Sequence, residues 1–472
     1  MNTRILFRSV FAVFVMVLLG LGGCALMPDP DEPPEAPPEE PEVVEEPEPV
    51  EEAYQSISLF VATGDAEAAL EEYQRAEIED PEDPDTLVLL AQLLTAAGLV
   101  EEAQQTLDEV LASDPENLDA LYHSALLAGF RGDREEQEAQ LTALVERRPE
   151  EARAHAALGE LHMEREQYDE ARAAFEAGLE QDEEEFVALR GLGNVLLRQE
   201  EYEEAEGVLT RAIEREPEFP FSYVDRSRAR LRVGDPAGAE QDLTEAIELE
   251  PEYAWNYLDR GRIRAQRGQL EPAKEDFNRA IELEPDIFMF YVHRARVHDS
   301  LGEVEEAVED YRTAFEMRPD YHEGYAHFAS LLYLTGEFDD AAEYFAKAYR
   351  ENRDFHEYML LAALSWKEAE DEQQARQYVR EHLDRISRDH VFYDVARFYM
   401  TPSNEGNLLR RIQNISDEYT KAQARFFVAA QYELLGRTRS ARELYRQAGD
   451  FSGAGMIETR LAEHNLERDR SR

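Results

Sequence analysis

One phrase recurs four times between Phe186 and Asp320, each copy 34 residues after the last: RAIEREP (211–217), EAIELEP (245–251), RAIELEP (279–285) and TAFEMRP (313–319). Prolines extend the period outward, at Pro81, Pro115, Pro149, Pro217, Pro251, Pro285 and Pro319, with Glu183 in the single slot that lacks one. Against a background of about 5% proline, chance does not produce such a column. A chain tied to this period cannot wrap itself around one closed core. Each unit is too small to bury its own apolar face, so the units must stack and share a continuous core with their neighbours.

When each unit is numbered so that its closing proline is position 32, units begin at residues 50, 84, 118, 152, 186, 220, 254, 288, 322 and 356. Position 20 is then alanine (Ala69, Ala103, Ala171, Ala205, Ala239, Ala273, Ala307, Ala341, Ala375), and only Gln137 breaks the column. Position 8 is small in every unit but the first, where Ile57 stands. Position 24 is always apolar, from Tyr73 and Leu107 through Phe175, Leu209 and Phe277 to Val379. Small side chains let two helices approach closely, and a large one fills the space between units. Seven units carry glycine at position 15, suited to the left-handed turn that ends a first helix. This 34-residue pattern resembles the tetratricopeptide repeat (TPR). The resemblance implies an all-α solenoid, a right-handed superhelix of helix pairs.

The best-matching units lie at 186–355; unit four lacks its proline and unit ten lacks a glycine at position 15. Residues 390–421 read as two helices broken near Thr401-Pro402-Ser403-Asn404, and residues 422–451 regain the pattern with Ala429, Gly436, Ala441 and Tyr445 in register. A short closing helix is predicted from Gly453 to Leu466, with Met456, Ile457 and Leu461 inward and a frayed LERDRSR end.

The formal net charge is −55, and only Lys274, Lys347, Lys367 and Lys421 among the 49 basic residues are lysines. Such a surface repels nucleic acid, so DNA and RNA are not expected as partners. A high-salt habitat or a GC-rich genome is the first account of the composition; an acidic body built to attract a basic partner is the alternative.

Residues 1–24 have the form of a secretory signal: Arg4 and Arg8, an apolar run from Val10 to Leu19, then small residues. The run is short for a membrane-spanning helix, which needs about 20 residues. Leu21-Gly22-Gly23-Cys24 resembles the lipobox of bacterial lipoproteins, and Cys24 is the only cysteine in the chain. That resemblance implies cleavage between Gly23 and Cys24, diacylglycerol on the Cys24 sulfur, and often acylation (commonly palmitate) of the new amino group. Ala25 in the next position implies the outer membrane by the sorting rule of enteric-type lipoproteins. Residues 25–52 hold nine prolines, twelve acids and no base, a composition that cannot bury a core and is expected to remain disordered. Fully extended, this tether would reach on the order of 85 Å at about 3.1 Å per residue.

In the TPR family, positions 2, 5, 9, 12 and 13 of the first helices line a concave groove. Carried onto this chain, they give Arg190, Asn194 and Arg198 in unit five, and Phe221, Arg228 and Arg232 in unit six. Trp255 and Arg262 follow in unit seven, Met289 and Arg296 in unit eight. Guanidinium groups beside large apolar side chains suit an extended or helical peptide with acidic and apolar residues. The competing account is that these arginines only answer Asp225 and Asp259, at position 6 of the same helices, and Glu160 and Glu164, in groove slots of unit four. The carboxylate-clamp pattern of the family is not matched beyond Asn194. No HExxH, CxxC or phosphate-binding loop occurs, and the eleven histidines are scattered. No catalytic residue, metal or cofactor is expected.

These readings divide the chain into a signal peptide (1–23), a lipidated tether (24–52), a TPR array (53–389) and degenerate units with a capping helix (390–472). The architecture resembles NlpI-type TPR lipoproteins. That likeness implies a non-enzymatic scaffold of the cell envelope, anchored by its lipid and facing the periplasm, that holds client proteins or peptides. Two rivals remain: a pilotin-like assembly factor for a secretin or pilus, and a glycan-binding component that uses Trp255 with Tyr253, Tyr257 and Tyr291.

Overall fold

Among the residues that the computed structural model describes (49–76, 83–403, 405–450 and 456–471), all regular structure is helical, in 25 α-helices and two short 3₁₀ turns. The helices alternate as first and second members of pairs, for example Phe186–Arg198 with Tyr202–Arg215 and Ala254–Gln266 with Leu270–Leu283. The chain divides into two compact units, Met1–Asp242 and Leu243–Arg472. The signal sequence, Gly23, Cys24 and Pro81 lie outside the described residues.

The packing columns do what their sizes require. All nine position-20 alanines are 0% exposed, and so are Phe175, Leu209 and Tyr311 at position 24. Small residues at position 8 receive those large side chains. A Cβ added to Gly261 would lie 2.7 Å from the Phe277 ring, and one added to Gly159 would lie 2.5 Å from Phe175. Phe175 also presses on Gly191 of the following pair, so one ring joins two units. Gln137, the exception at position 20, is buried because Gly129 opposite it leaves room for its amide.

The joints follow from backbone chemistry. Gly234, Gly302 and Gly336 end their helices in the left-handed region, with φ of 90°, 82° and 84°. Position 15 keeps this conformation even without glycine. The three non-glycine residues with positive φ among the described residues are Glu166, Glu200 and Glu370, at 58°, 63° and 63°. All three occupy position 15 of units that lack the glycine. Stacking therefore overrides a local preference of about 1–2 kcal/mol. At the other joint, the phenol groups of Tyr223, Tyr257 and Tyr325 donate to the carbonyls of Pro217, Pro251 and Pro319 at 2.8–3.1 Å.

The first described helix starts at Pro49, at the end of the acidic segment. Proline fits the first helical position, acids favour a helix N-terminus, and Ala53 and Ile57 just beyond are buried. At the C-terminal end one sequence expectation needs correction: the final residues do not fray. The last helix runs from Ile457 to Ser471, and Arg468 near its end is held by Glu368 and Glu433. The break near 401–404 is found as expected, between Val391–Met400 and Glu405–Gln413.

Replacing Glu200 or Glu370 by glycine should relieve the left-handed strain at a smaller cost in chain entropy. Each change is expected to stabilise the chain by about 0.5–1 kcal/mol, read as a rise in the denaturant midpoint; no rise would mean that the glutamates are unstrained there.

Candidate functional site

The sequence-predicted groove residues lie on the first helices, but most already have partners. Within the first unit, Arg190 donates to Glu160 at 3.1 Å and lies over the Phe219 ring at 5.8 Å. Asn194 donates to Asp225 at 2.8 Å, and Arg228 donates to the same carboxylate at 2.6 Å. Phe221 packs against Phe219, and Arg232 lies over Tyr202. Arg198 is exposed. Within the second unit, Arg262 donates to Asp259 at 3.2 Å, Arg296 to the Tyr321 hydroxyl at 3.4 Å, and Trp255 meets Phe290 edge to face. Met289 is half-buried. The carboxylates named beside the arginines are thus their partners in three cases: Glu160, Asp225 and Asp259. Even so, the side chains of Arg228 and Arg262 remain 58% and 50% exposed. Their pairs are of the kind worth about 0–1 kcal/mol, which leaves the guanidinium groups able to reach a ligand.

The neighbouring arginines have a different role. In DRSRAR (225–230), residues at positions 7 and 11 share a helix face and position 9 points away from it. Arg226 grips Asp242 through two nitrogens at 3.1 and 2.7 Å, and Arg230 adds a third bond at 2.8 Å. The pattern repeats as Arg260 and Arg264 on Asp276, and as Arg294 on Asp310 with His298 Nε2 at 3.7 Å. The aspartates are at position 23 of the second helix and are only 1–5% exposed. These charge clasps lock each pair internally. The sequence carried the signal, since Asp242, Asp276 and Asp310 recur every 34 residues, but the spacing alone does not name their arginine partners.

A ligand-like contact in the second unit went unforeseen. The terminal helix Ile457–Ser471 packs on the preceding second helix Thr438–Gly449 and also meets first helices of several pairs. Arg460 holds Asp299 through both terminal nitrogens, one bond measuring 2.9 Å. Arg468 reaches Glu368 at 3.2 Å and Glu433 at 3.1 Å. Gln423 donates to Glu458 at 3.0 Å, Asn465 donates to the Tyr445 hydroxyl at 2.8 Å and bonds Tyr333, and Leu461 and Ala462 are fully buried. On the first helices these contacts fall at position 2 (Gln423), position 12 (Asp299, Tyr333, Glu433) and position 13 (Glu368). Those are the positions that the TPR resemblance assigns to the groove.

The electrostatics of this contact are uneven. Burial outweighs the Gln423 bond and pushes the Glu458 carboxyl up to about 7, with the charge of Glu357 adding to the effect. Burial would raise Asp299 as well, but His327 and Arg460 outweigh it and hold that carboxyl below its usual value. His293, stacked on Phe277 at 5.7 Å, is pushed down to about 4 by burial and by the charges of Arg296 and Arg262. It is therefore neutral at physiological pH. Among the described residues there is no group of three acidic, histidine or cysteine side chains placed to hold a metal, and no helix is long and apolar enough to cross a membrane.

Two outcomes are expected. Arg260→Ala leaves the nearly buried Asp276 short of its bidentate partner, and should cost about 3–5 kcal/mol. Arg262→Ala, two residues away and exposed, should cost less than about 1 kcal/mol; chemical unfolding of both variants compares them, and equal losses would refute the division of roles. The raised Glu458 pKa means that its contribution to docking is complete below its ordinary value of 4.5 and is lost as pH rises through about 7. Hydrogen exchange, corrected for intrinsic rates, should show the terminal helix better protected at about pH 5 than at about pH 8, and Glu458→Gln should flatten the difference.

Comparison with known proteins agrees with this architecture. Tetratricopeptide-repeat family models match residues 60–128, and 122–185, 157–222, 258–322 and 328–390, together more than half of the chain. No curated protein matches. Among solved structures, pilF of Pseudomonas aeruginosa is 20% identical, covering 44% of this chain and 94% of its own, with a TM-score of 0.39. A tetratricopeptide repeat protein from Parabacteroides merdae is 23% identical over 53% of this chain and 99% of its own (TM-score 0.35). YrrB, described as a TPR protein with an unusual peptide-binding site, is 23% identical over 38% of this chain and 93% of its own (TM-score 0.36). With helix pairs, joints and packing columns all in the 34-residue register that these family models describe, the chain belongs to the tetratricopeptide-repeat family.

Proposed function

We propose that this protein is a lipid-anchored, non-enzymatic scaffold of the bacterial cell envelope that binds client proteins or peptides on the faces of its first helices. The observation that carries the reading is the docked terminal helix: in the second unit the groove positions already hold a helical protein segment through charged and apolar contacts. The exposed Arg228, Arg262 and Arg296 offer further cationic contacts in their own units. TPR proteins are generally interaction scaffolds, and the charged clusters described above are engaged in packing. The anchor rests on the sequence alone. Cys24 in its lipobox would carry the lipid, and the acidic segment after it would hold the array away from an outer membrane, on the periplasmic side.

Two measurements test the two halves of this reading. Metabolic labelling with a palmitate analogue should tag the wild type and not Cys24→Ser, and the variant should leave the membrane fraction; labelling of both would refute the anchor. In-cell crosslinking with mass spectrometry should show partners that vanish in Arg228→Glu/Arg262→Glu/Arg296→Glu while circular dichroism stays unchanged. An unchanged partner list would remove these arginines from recognition.

A further inference from the structure

The terminal helix belongs to no 34-residue pair. We propose that the first-helix face of the second unit is a binding site for a basic amphipathic helix with arginines eight residues apart, and that Ile457–Ser471 is its intramolecular occupant until a partner helix displaces it. This rests on the scaffold reading above and names the chemistry of the client.

Charge complementarity identifies the occupant. The groove residues that meet the terminal helix are acidic at both ends, Asp299 at one and Glu368 with Glu433 at the other. The helix answers with Arg460 and Arg468, two turns apart and therefore close to one face. Leu461 and Ala462 fill the space between these ends, and Ile457 and Leu466 pack beside them. A partner helix that repeats this pattern would make the same bonds.

The fit has a mismatch that a partner helix could remove, at Glu458. Thr459 Oγ1 and Asn465 Oδ1 of the same helix are also buried without a hydrogen-bond partner, as are Ser124 Oγ and Ser222 Oγ in the repeats. Each such atom costs about 1–3 kcal/mol. Glu458, only 3% exposed, has no cation at hand: the groups facing it are Gln423 and Tyr419 from one helix, and Glu357 and Tyr358 from another. A ligand with a neutral residue at the Glu458 place and arginines at the 460 and 468 places would bind better than the chain's own end. The tethered segment has the advantage of effective concentration only.

The test uses the full chain and a fluorescent peptide of residues 456–471 as the probe. In Arg460→Glu/Arg468→Glu, the chain's own helix is repelled from Asp299 and Glu368, and the groove opens. Anisotropy should show the peptide binding this variant about tenfold or more tightly than the wild type, and a Glu458→Gln peptide binding more tightly still. A peptide carrying both arginine reversals should bind neither chain. Equal binding to the two chains, or none, overturns the proposal. So does loss of the cooperative unfolding of the repeats in the variant, which would make the terminal helix a fixed part of the fold. A wild-type dimer that dissociates in the variant would assign the groove to a second copy's helix, and would also overturn it. Crosslinking in cells, which tests the scaffold reading, can fail while peptide binding succeeds, so the two failures are distinguishable.

Discussion

The close approach of two helices at positions 8 and 20 is the constraint on which every other contact depends. Where a glycine or alanine removes side-chain bulk, the large residue at position 24 can enter, and Phe175 shows the consequence by touching glycines of two successive pairs. Interiors at crystal-like density tolerate little adjustment. The spacing between helices thus fixes which backbone angles the joints must adopt, including the left-handed turns at Glu166, Glu200 and Glu370. Local preference yields to packing at those three joints.

Charge is organised on top of this frame. A chain with a net charge of −55 repels itself, yet nearly buried aspartates appear in three consecutive pairs. They are tolerated because each meets a bidentate arginine, and a hydroxyl or amide oxygen (Thr210, Thr244, Asn278) accepts from the same guanidinium. The helical period then divides the alternating arginines of one motif into two populations: positions 7 and 11 face the second helix, and position 9 is left to solvent. A chain so poor in lysine suits this arrangement, since the planar guanidinium fork matches a carboxylate with two parallel bonds.

The same arithmetic governs the terminal helix. Its arginines meet acidic groove positions, and Leu461 and Ala462 join the hydrophobic core of the second unit. The groove expected from the arginine ladder would take an acidic peptide. The one that the terminal helix occupies in the second unit takes a basic segment, because the residues that reach it there are Asp299, Glu368 and Glu433.

Most of the fold was legible in the sequence, because nearly all of its contacts join residues within one 34-residue period and so recur in register. Positions 8, 15, 20, 24 and 32 could be read one column at a time, and the clasp aspartates at position 23 stood in the same register. The candidate site was legible only as a set of positions. Whether Arg228 faces solvent while Arg226 is engaged follows from helix phase, but the contact between Arg460 and Asp299 joins residues far apart in the chain. No spacing encodes that pairing. The sequence by itself determined the repeat, the helix pairs and the joints, since these are local. Only the tertiary structure decided what fills the groove, because a terminal helix that belongs to no repeat finds its place through shape and charge assembled from several units at once.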